Sequence, residues 1–433
     1  MPPGALASRN FRLLLGCDVL SGTGSAVAVI AIPFAVLAIG GSAADVGYVA
    51  AAALLSMVVF LLLGGVVADR MPRHRVMMAA NLVQGAAQAG SAVLVLTGHA
   101  QVAELLGLSA LRGAGLGFYY PASQGLLPQT VPAAHLAQAN AIDRVGRNTA
   151  QIGGAALGGI LVAAAGSGWG LAADAISFAG AAALRAGMRF PARSPAEPAA
   201  TAEAGLLGQM REGWREFLAR RWLWVIVAEF TVLSAITSAA ISVLGPLVAH
   251  DSLGGARSWG FILSGYSVGA VAGGAIMIRY RPERMLLVGS IAAGVFSVLL
   301  FALAVPLSVP LVAAAAFLVG VSTEVFLVNW VTTMQQEIPH DLLSRLSAFD
   351  AMGSFALAPA GVAVAGPVAA AVGVGPALAG GGLIIVVLTA VVLAVPEVRR
   401  LRRRVPGPDP ASAVSPAGKP RKRPTADLPA EPG

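Results

Sequence analysis

Hydrophobic residues in this chain come in long unbroken runs separated by short polar stretches. Twelve runs are legible, at 11–39, 46–68, 76–97, 102–126, 138–165 and 169–189, then 222–249, 259–279, 284–304, 308–334, 345–371 and 376–396. Each is near or above the roughly 20 residues a helix needs to cross a bilayer core. Lipid offers no partners to backbone polar groups, so spans of this length are predicted to be helices. The pattern predicts an all-α membrane protein with two sets of six helices.

Residues 190–221 separate the sets and are rich in Pro, Ala and charge. Within them Leu207, Met210, Trp214 and Phe217 recur at helical spacing, with Arg211, Glu212, Arg215 and Glu216 on the other faces. That pattern predicts an amphipathic helix lying in the membrane interface. The expected organisation is therefore a bundle over 1–190, a linker over 191–221, a second bundle over 222–398 and a basic tail over 399–433. The tail is Pro-rich and charged, a composition that cannot bury a core and is expected to be disordered.

Composition agrees with the pattern. Only 12% of residues are charged, against about 25% in soluble domains. The net charge of +8 does not indicate nucleic acid, because its distribution follows the loops. Arg9 and Arg12, Arg70, Arg73 and Arg75, Arg144 and Arg147, Arg279, Arg281 and Arg284, and Arg345 fall on alternate connections; Arg257 is the one basic residue of the opposite set. Basic loops face the cytoplasm, which predicts a multi-pass plasma-membrane protein with both termini inside. The first run is too long for the core of a signal peptide and is expected to remain as an anchor. Cys17 is the one cysteine, so no intrachain disulfide forms. His99 and His250 show no metal-ligand spacing, and no phosphate-binding glycine loop with Lys-Ser/Thr is present. No nucleophile–base arrangement is visible either. ATP-driven transport, enzymatic chemistry, metals and cofactors are not expected.

The two sets repeat one another. Pro132 to Gly146 aligns with Pro339 to Gly353, matching Asp143 to Asp350 at an offset of 207. Gly64-Gly65 aligns with Gly273-Gly274 at an offset of 209. Both matches lie on basic connections, so the halves share one orientation about an axis along the membrane normal.

Charges in apolar runs are costly and face a bundle interior or a water-filled path. Asp18, Arg112, Glu229 and Glu324 fall in the first, fourth, seventh and tenth runs. That periodicity predicts four helices around one central path. Asp18 is the expected partner of Arg112, with Glu324 second. Asp174 is expected near the outer surface, in reach of water.

The connection Gly65-Val-Val-Ala-Asp69-Arg70-Met-Pro72-Arg73-His74-Arg75 resembles the signature loop of the major facilitator superfamily, with Pro72 where glycine is usual. The resemblance, with the twelve-run layout, covers residues 8–398 and implies two pseudo-symmetric six-helix bundles. It implies close helix approach at Gly65 and a cytoplasmic latch in the outward-facing state. There Asp69 meets the start of the eleventh helix and Arg70 or Arg73 pairs with Asp350. By the repeat, Asp143 mirrors this against Arg279 or Arg281, although Ile278 replaces the loop aspartate and a local pair with Arg147 competes. Gly153-Gly154-Ala-Ala-Leu-Gly158-Gly159 resembles the glycine motif of proton-exchanging exporters, and is also an ordinary helix-packing stripe. Arg9 to Leu14 and Leu136 to Ala141 resemble the branch holding the enterobactin exporter and drug-efflux proteins. Arg112 resembles the family's fourth-helix arginine associated with proton coupling. Together these imply a monomeric, proton-coupled exporter of small amphipathic compounds, drug-like or siderophore-like. An uptake symporter and a non-transporting scaffold or sensor are the alternatives.

Overall fold

A computed structural model describes residues 4–124, 126–189, 206–280, 282–305 and 307–402. The segments 190–205 and 403–433, covering about half of the expected linker and most of the tail, lie outside the described residues. The first half contains α1 (Arg9–Ala38), α2 (Ala43–Arg70), α3 (Arg73–Leu96), α4 (Val102–Gln124), α5 (Leu136–Ala165) and α6 (Ser167–Ala186). After α7 (Leu206–Ala219), the second half comprises α8 (Arg221–Ala239), α9 (Gly245–Ser252), α10 (Ala256–Arg279), α11 (Met285–Gly294) and α12 (Phe296–Ala304). It continues through α13 (Val309–Glu337), α14 (His340–Ala356), α15 (Ala358–Val372), α16 (Val374–Ala394) and the short α17 (Pro396–Arg400).

Ten spans among the described residues are long and apolar enough to cross a membrane. The other two helices of membrane length, α4 and α6, carry Glu104 with Arg112 and Asp174 with Arg185. Those charges lower their mean hydropathy. In the second half several spans are jointed. α8 runs into α9 through a π-helical turn at Ala240–Leu244, just before Pro246. α14 gives way to α15 at Leu357, just before Pro359. Proline has no N–H to give the preceding turn, so a joint forms where the ladder is interrupted.

The repeat is a structural fact. Gly166 turns α5 into α6 with φ 93°, and Gly373 turns α15 into α16 with φ 92°, again 207 positions apart. Only glycine reaches that backbone region without strain. Gly64 of α2 lies against the backbone of Gly117 and Phe118 on α4, and Gly273 of α10 lies against Val321 on α13. A Cβ at either glycine would overlap backbone. At Gly65, by contrast, a Cβ would meet open space. The close approach expected of Gly65 belongs to Gly64, because a helix presents neighbouring residues about 100° apart and one alone faces its partner.

The halves meet at the end away from the basic loops. There α5 packs on α10, with Gly159 against Ala256 and Gly260, and α2 packs on α15, with Gly366 against Ala43 and Ala44. Ser264 Oγ donates to the Ile152 carbonyl at 3.4 Å. Phe34 and His250 face each other with ring centroids 6.3 Å apart. Along α5, Gly154 and Gly158 receive α1 at Thr23 and Val27, while a Cβ on Gly153 would meet nothing. The packing stripe is therefore Gly154, Gly158 and Gly159, and Gly153 lies off its face.

At the basic end the aromatic residues of α7 approach α14, with Phe217 buried and Trp214 half exposed. Trp214 and Phe217 stack at 5.6 Å and lie 5.6 and 6.1 Å from Phe349 on α14. Phe217 is buried in the core. The side chains of Leu207 and Met210 lie outside the described residues.

Candidate functional site: a charged network inside the first half

Helical spacing puts Asp18, Ser21 and Ser25 on one face of α1, and Asn81, Gln84 and Gln88 on one face of α3. Asn81, Gln84 and Gln88 are buried, as polar groups in a membrane helix must be. Asp18, 4% exposed, is the hub. Its Oδ1 accepts from Arg185 Nη2 of α6 at 2.7 Å and from the Tyr119 hydroxyl of α4 at 2.8 Å. Its Oδ2 accepts from Arg147 Nη2 of α5 at 2.8 Å. Arg185 also donates to the Tyr119 oxygen at 2.9 Å, and its guanidinium sits 5.1 Å from that ring's centroid. Arg147 Nε donates to Asp143 Oδ2 at 2.8 Å. Two carboxylates and two guanidinium groups thus cancel, and each charge has a charged neighbour.

The network borders a cavity of about 150 Å³ lined by Ser21, Asn81, Gln84, Tyr119, Arg147 and Gln151, among others. Arg147 is 46% exposed while bonded to a buried acid, so the cavity continues toward open space. Neither polar atom of the Asn81 side chain has a hydrogen-bond partner among the described residues. Such a polar space suits water or a hydrogen-bonding ligand group.

Arg112 does not reach Asp18. The acid that acts on it is Asp174 of α6, which is fully buried and accepts from Gln88 Nε2 at 2.6 Å and from Ser177 Oγ at 3.4 Å. Both expectations for these residues change. Asp18 is already occupied by α5 and α6, and Asp174 is packed against Gly24 of α1 rather than reaching water.

In the second half Glu229 is buried on α8, and its Oε1 accepts from Thr389 Oγ1 of α16 at 3.0 Å. Glu324 is half-buried on α13, its Cβ near Gly273 of α10. Asp18 and Glu229 are thus each hydrogen-bonded within their own half, and Asp18 also borders the cavity. Asp350 accepts from Trp330 Nε1 at 3.1 Å and from Ser354 Oγ at 3.3 Å. Asp143 is held by Arg147, the local pair, and not by Arg279. The side chain of Asp69, that of Arg345 and the whole of Arg281 lie outside the described residues.

This architecture has solved counterparts. The nucleoside transporter NupG superposes with a TM-score of 0.67 at 12% identity, covering 89% of this chain and 98% of that one. A bacterial homologue of the iron transporter ferroportin, in an inward-facing state, gives 0.66 at 16% identity over 89% of this chain and 99% of that one. At the level of sequence, a major facilitator family described as transmembrane secretion effector matches residues 2–416. The chain belongs to this family. It is 28% identical over 404 residues to the multidrug efflux pump Tap of Mycolicibacterium fortuitum, covering 90% of this chain and 96% of that pump. The Tap pump of Mycobacterium tuberculosis is 29% identical over 160 residues, 36% of this chain and 38% of the pump.

Within this major facilitator fold, the spacing of charges in sequence missed Arg185 and Tyr119. Arg185 closes α6 at the basic end, where an arginine reads as a topology signal, and Tyr119 reads as an interfacial aromatic. The α3 stripe of Asn81, Gln84 and Gln88 was the available signal, since an amide at every turn of a membrane helix marks a protein-facing side.

Proposed function

We propose that this chain is a proton-driven exporter of small amphipathic compounds, working as a monomer by alternating access in the plasma membrane with both termini in the cytoplasm. The observation that carries the proposal is the near full-length similarity to a multidrug efflux pump. It is supported by an arrangement in which the halves are joined at the end away from the basic loops. Basic loops on one side support the orientation. The gap toward the basic end is then the cytoplasmic entrance, with Arg147 and Gln151 at its wall.

Asp18, Arg112, Glu229 and Glu324 are the candidate coupling groups. In the opposite state the basic end closes, with Gly65, Asp69, Arg70 and Arg73 approaching Asp350, and with Asp143 released toward Arg279. The test uses inverted membrane vesicles holding the full chain, with ethidium as the probe. An imposed gradient, acid inside, is expected to drive ethidium into the vesicles, and a protonophore to collapse the uptake. Uptake equal to that of vesicles lacking the protein, or insensitive to the protonophore, would overturn the proposal.

A further inference from the structure

α1 and α8 open the two repeated halves, and each carries one buried acid at similar depth. Asp18 lies nine residues after Arg9, and Glu229 eight after Arg221, about 12 to 14 Å along either helix at 1.5 Å per residue. Each accepts a bond from the last membrane helix of its own half, α6 for Asp18 and α16 for Glu229. Their surroundings differ in charge. Asp18 has three donors, two of them guanidinium groups. Glu229 has one, the Thr389 hydroxyl, and its Oε2 has no hydrogen-bond partner among the described residues.

The helices packed around α8 do carry charges: Arg211, Arg215 and Glu216 on α7, Asp350 on α14, and Glu397, Arg399 and Arg400 on α17. None of them forms an ion pair or hydrogen bond with Glu229, nor does any other charged side chain among the described residues. An unpaired ion in such surroundings is expensive. Asp18 is the reverse case. Protonating it would strand two guanidinium groups, one of them fully buried.

We propose that Glu229 is the proton-binding group of the transport cycle, and that Asp18 is a permanent anion that positions α4, α5 and α6 on α1. The proposal rests on the proton-driven export described above. On release, the Glu229 O–H bond breaks, its electron pair stays on the carboxylate and the proton passes to water, as the rearrangement of α8 against α16 admits solvent.

Two measurements on the full-length protein in lipid vesicles test this. The first is infrared difference spectroscopy across a pH titration, which needs no substrate. A carbonyl stretch of a protonated carboxyl group in apolar surroundings is expected in the wild type. It should be lost in Glu229→Gln and retained in Asp18→Asn. Retention of the band in Glu229→Gln, or its loss in Asp18→Asn, overturns the assignment. The second is ethidium transport. Glu229→Gln should keep downhill ethidium movement and lose all gradient-driven accumulation. Accumulation at the wild-type level in Glu229→Gln overturns the coupling role while leaving proton-driven export standing. Absence of accumulation in the wild type overturns export, and with it the coupling role, whereas the infrared result still decides where the proton sits.

Discussion

Asp18 is joined to three other helices through two oxygens, so its partners are worth more than any one bond. Removing one member of a buried ion pair leaves a charge without compensation, at about 3 to 5 kcal/mol. Arg185→Leu should fall at the lower end, about 3 kcal/mol, because Arg147 and Tyr119 still hold Asp18. Thermal unfolding of the purified protein in detergent checks this. Replacing both partners removes the stranded charge, so Asp18→Asn with Arg185→Leu should be more stable than Arg185→Leu alone. A double variant no more stable than the single one would show that the pair does not hold α6 to α1. Arg112 was legible as a charge within a membrane span, but the acid nearest to it in charge was not. Pairing depends on which way α4 is rotated, and that is set by α2 and α3 on its flanks.

Single elements explain which glycines matter. Gly64 and Gly273 sit where α2 meets α4 and where α10 meets α13, with backbone in van der Waals range. Gly64→Leu should force the two helices apart and abolish a monodisperse product in size-exclusion chromatography. Gly65→Leu, with open space at its Cβ, should elute like the wild type. Similar behaviour of the two variants would contradict this helix rotation. The adjacent glycines are indistinguishable in sequence, and the one that resembles the family signature is not the one in contact. The amphipathic character of α7 was equally legible, but its partner was not. A stripe containing Trp214 and Phe217 serves a lipid interface or a protein groove alike, and here it covers Phe349.

For the whole molecule, closure at one end rests on small residues from both halves. Gly366 approaches Ala43 and Ala44 so closely that a larger side chain has no room unless the halves part. Gly366→Leu should therefore favour the state that is open at that end and narrowed at the basic end. A cysteine placed at the exposed Gln151 reports it, and its labelling by a membrane-impermeant maleimide from the basic side should slow several-fold. An unchanged labelling rate would mean that the α2–α15 contact does not govern the state. The latch belongs to the same scale. Asp350 is held by Trp330 and Ser354, and in the proposed cycle exchange of these bonds for arginine accompanies closure of the basic end.

Run length and the placement of arginines determined, without any structure, that this chain is a bundle of membrane helices in two parallel halves. Those properties depend on hydrocarbon thickness and on local backbone hydrogen bonding, which each segment satisfies alone. The presence of charges within four of the runs was equally plain, since few charged residues occur there. Which charges meet was decided by tertiary structure. A contact requires a helix rotation and a neighbour, and both are set by packing between segments far apart in sequence. Asp18 therefore meets Arg185 and Arg147 instead of Arg112, and Glu229 meets a hydroxyl.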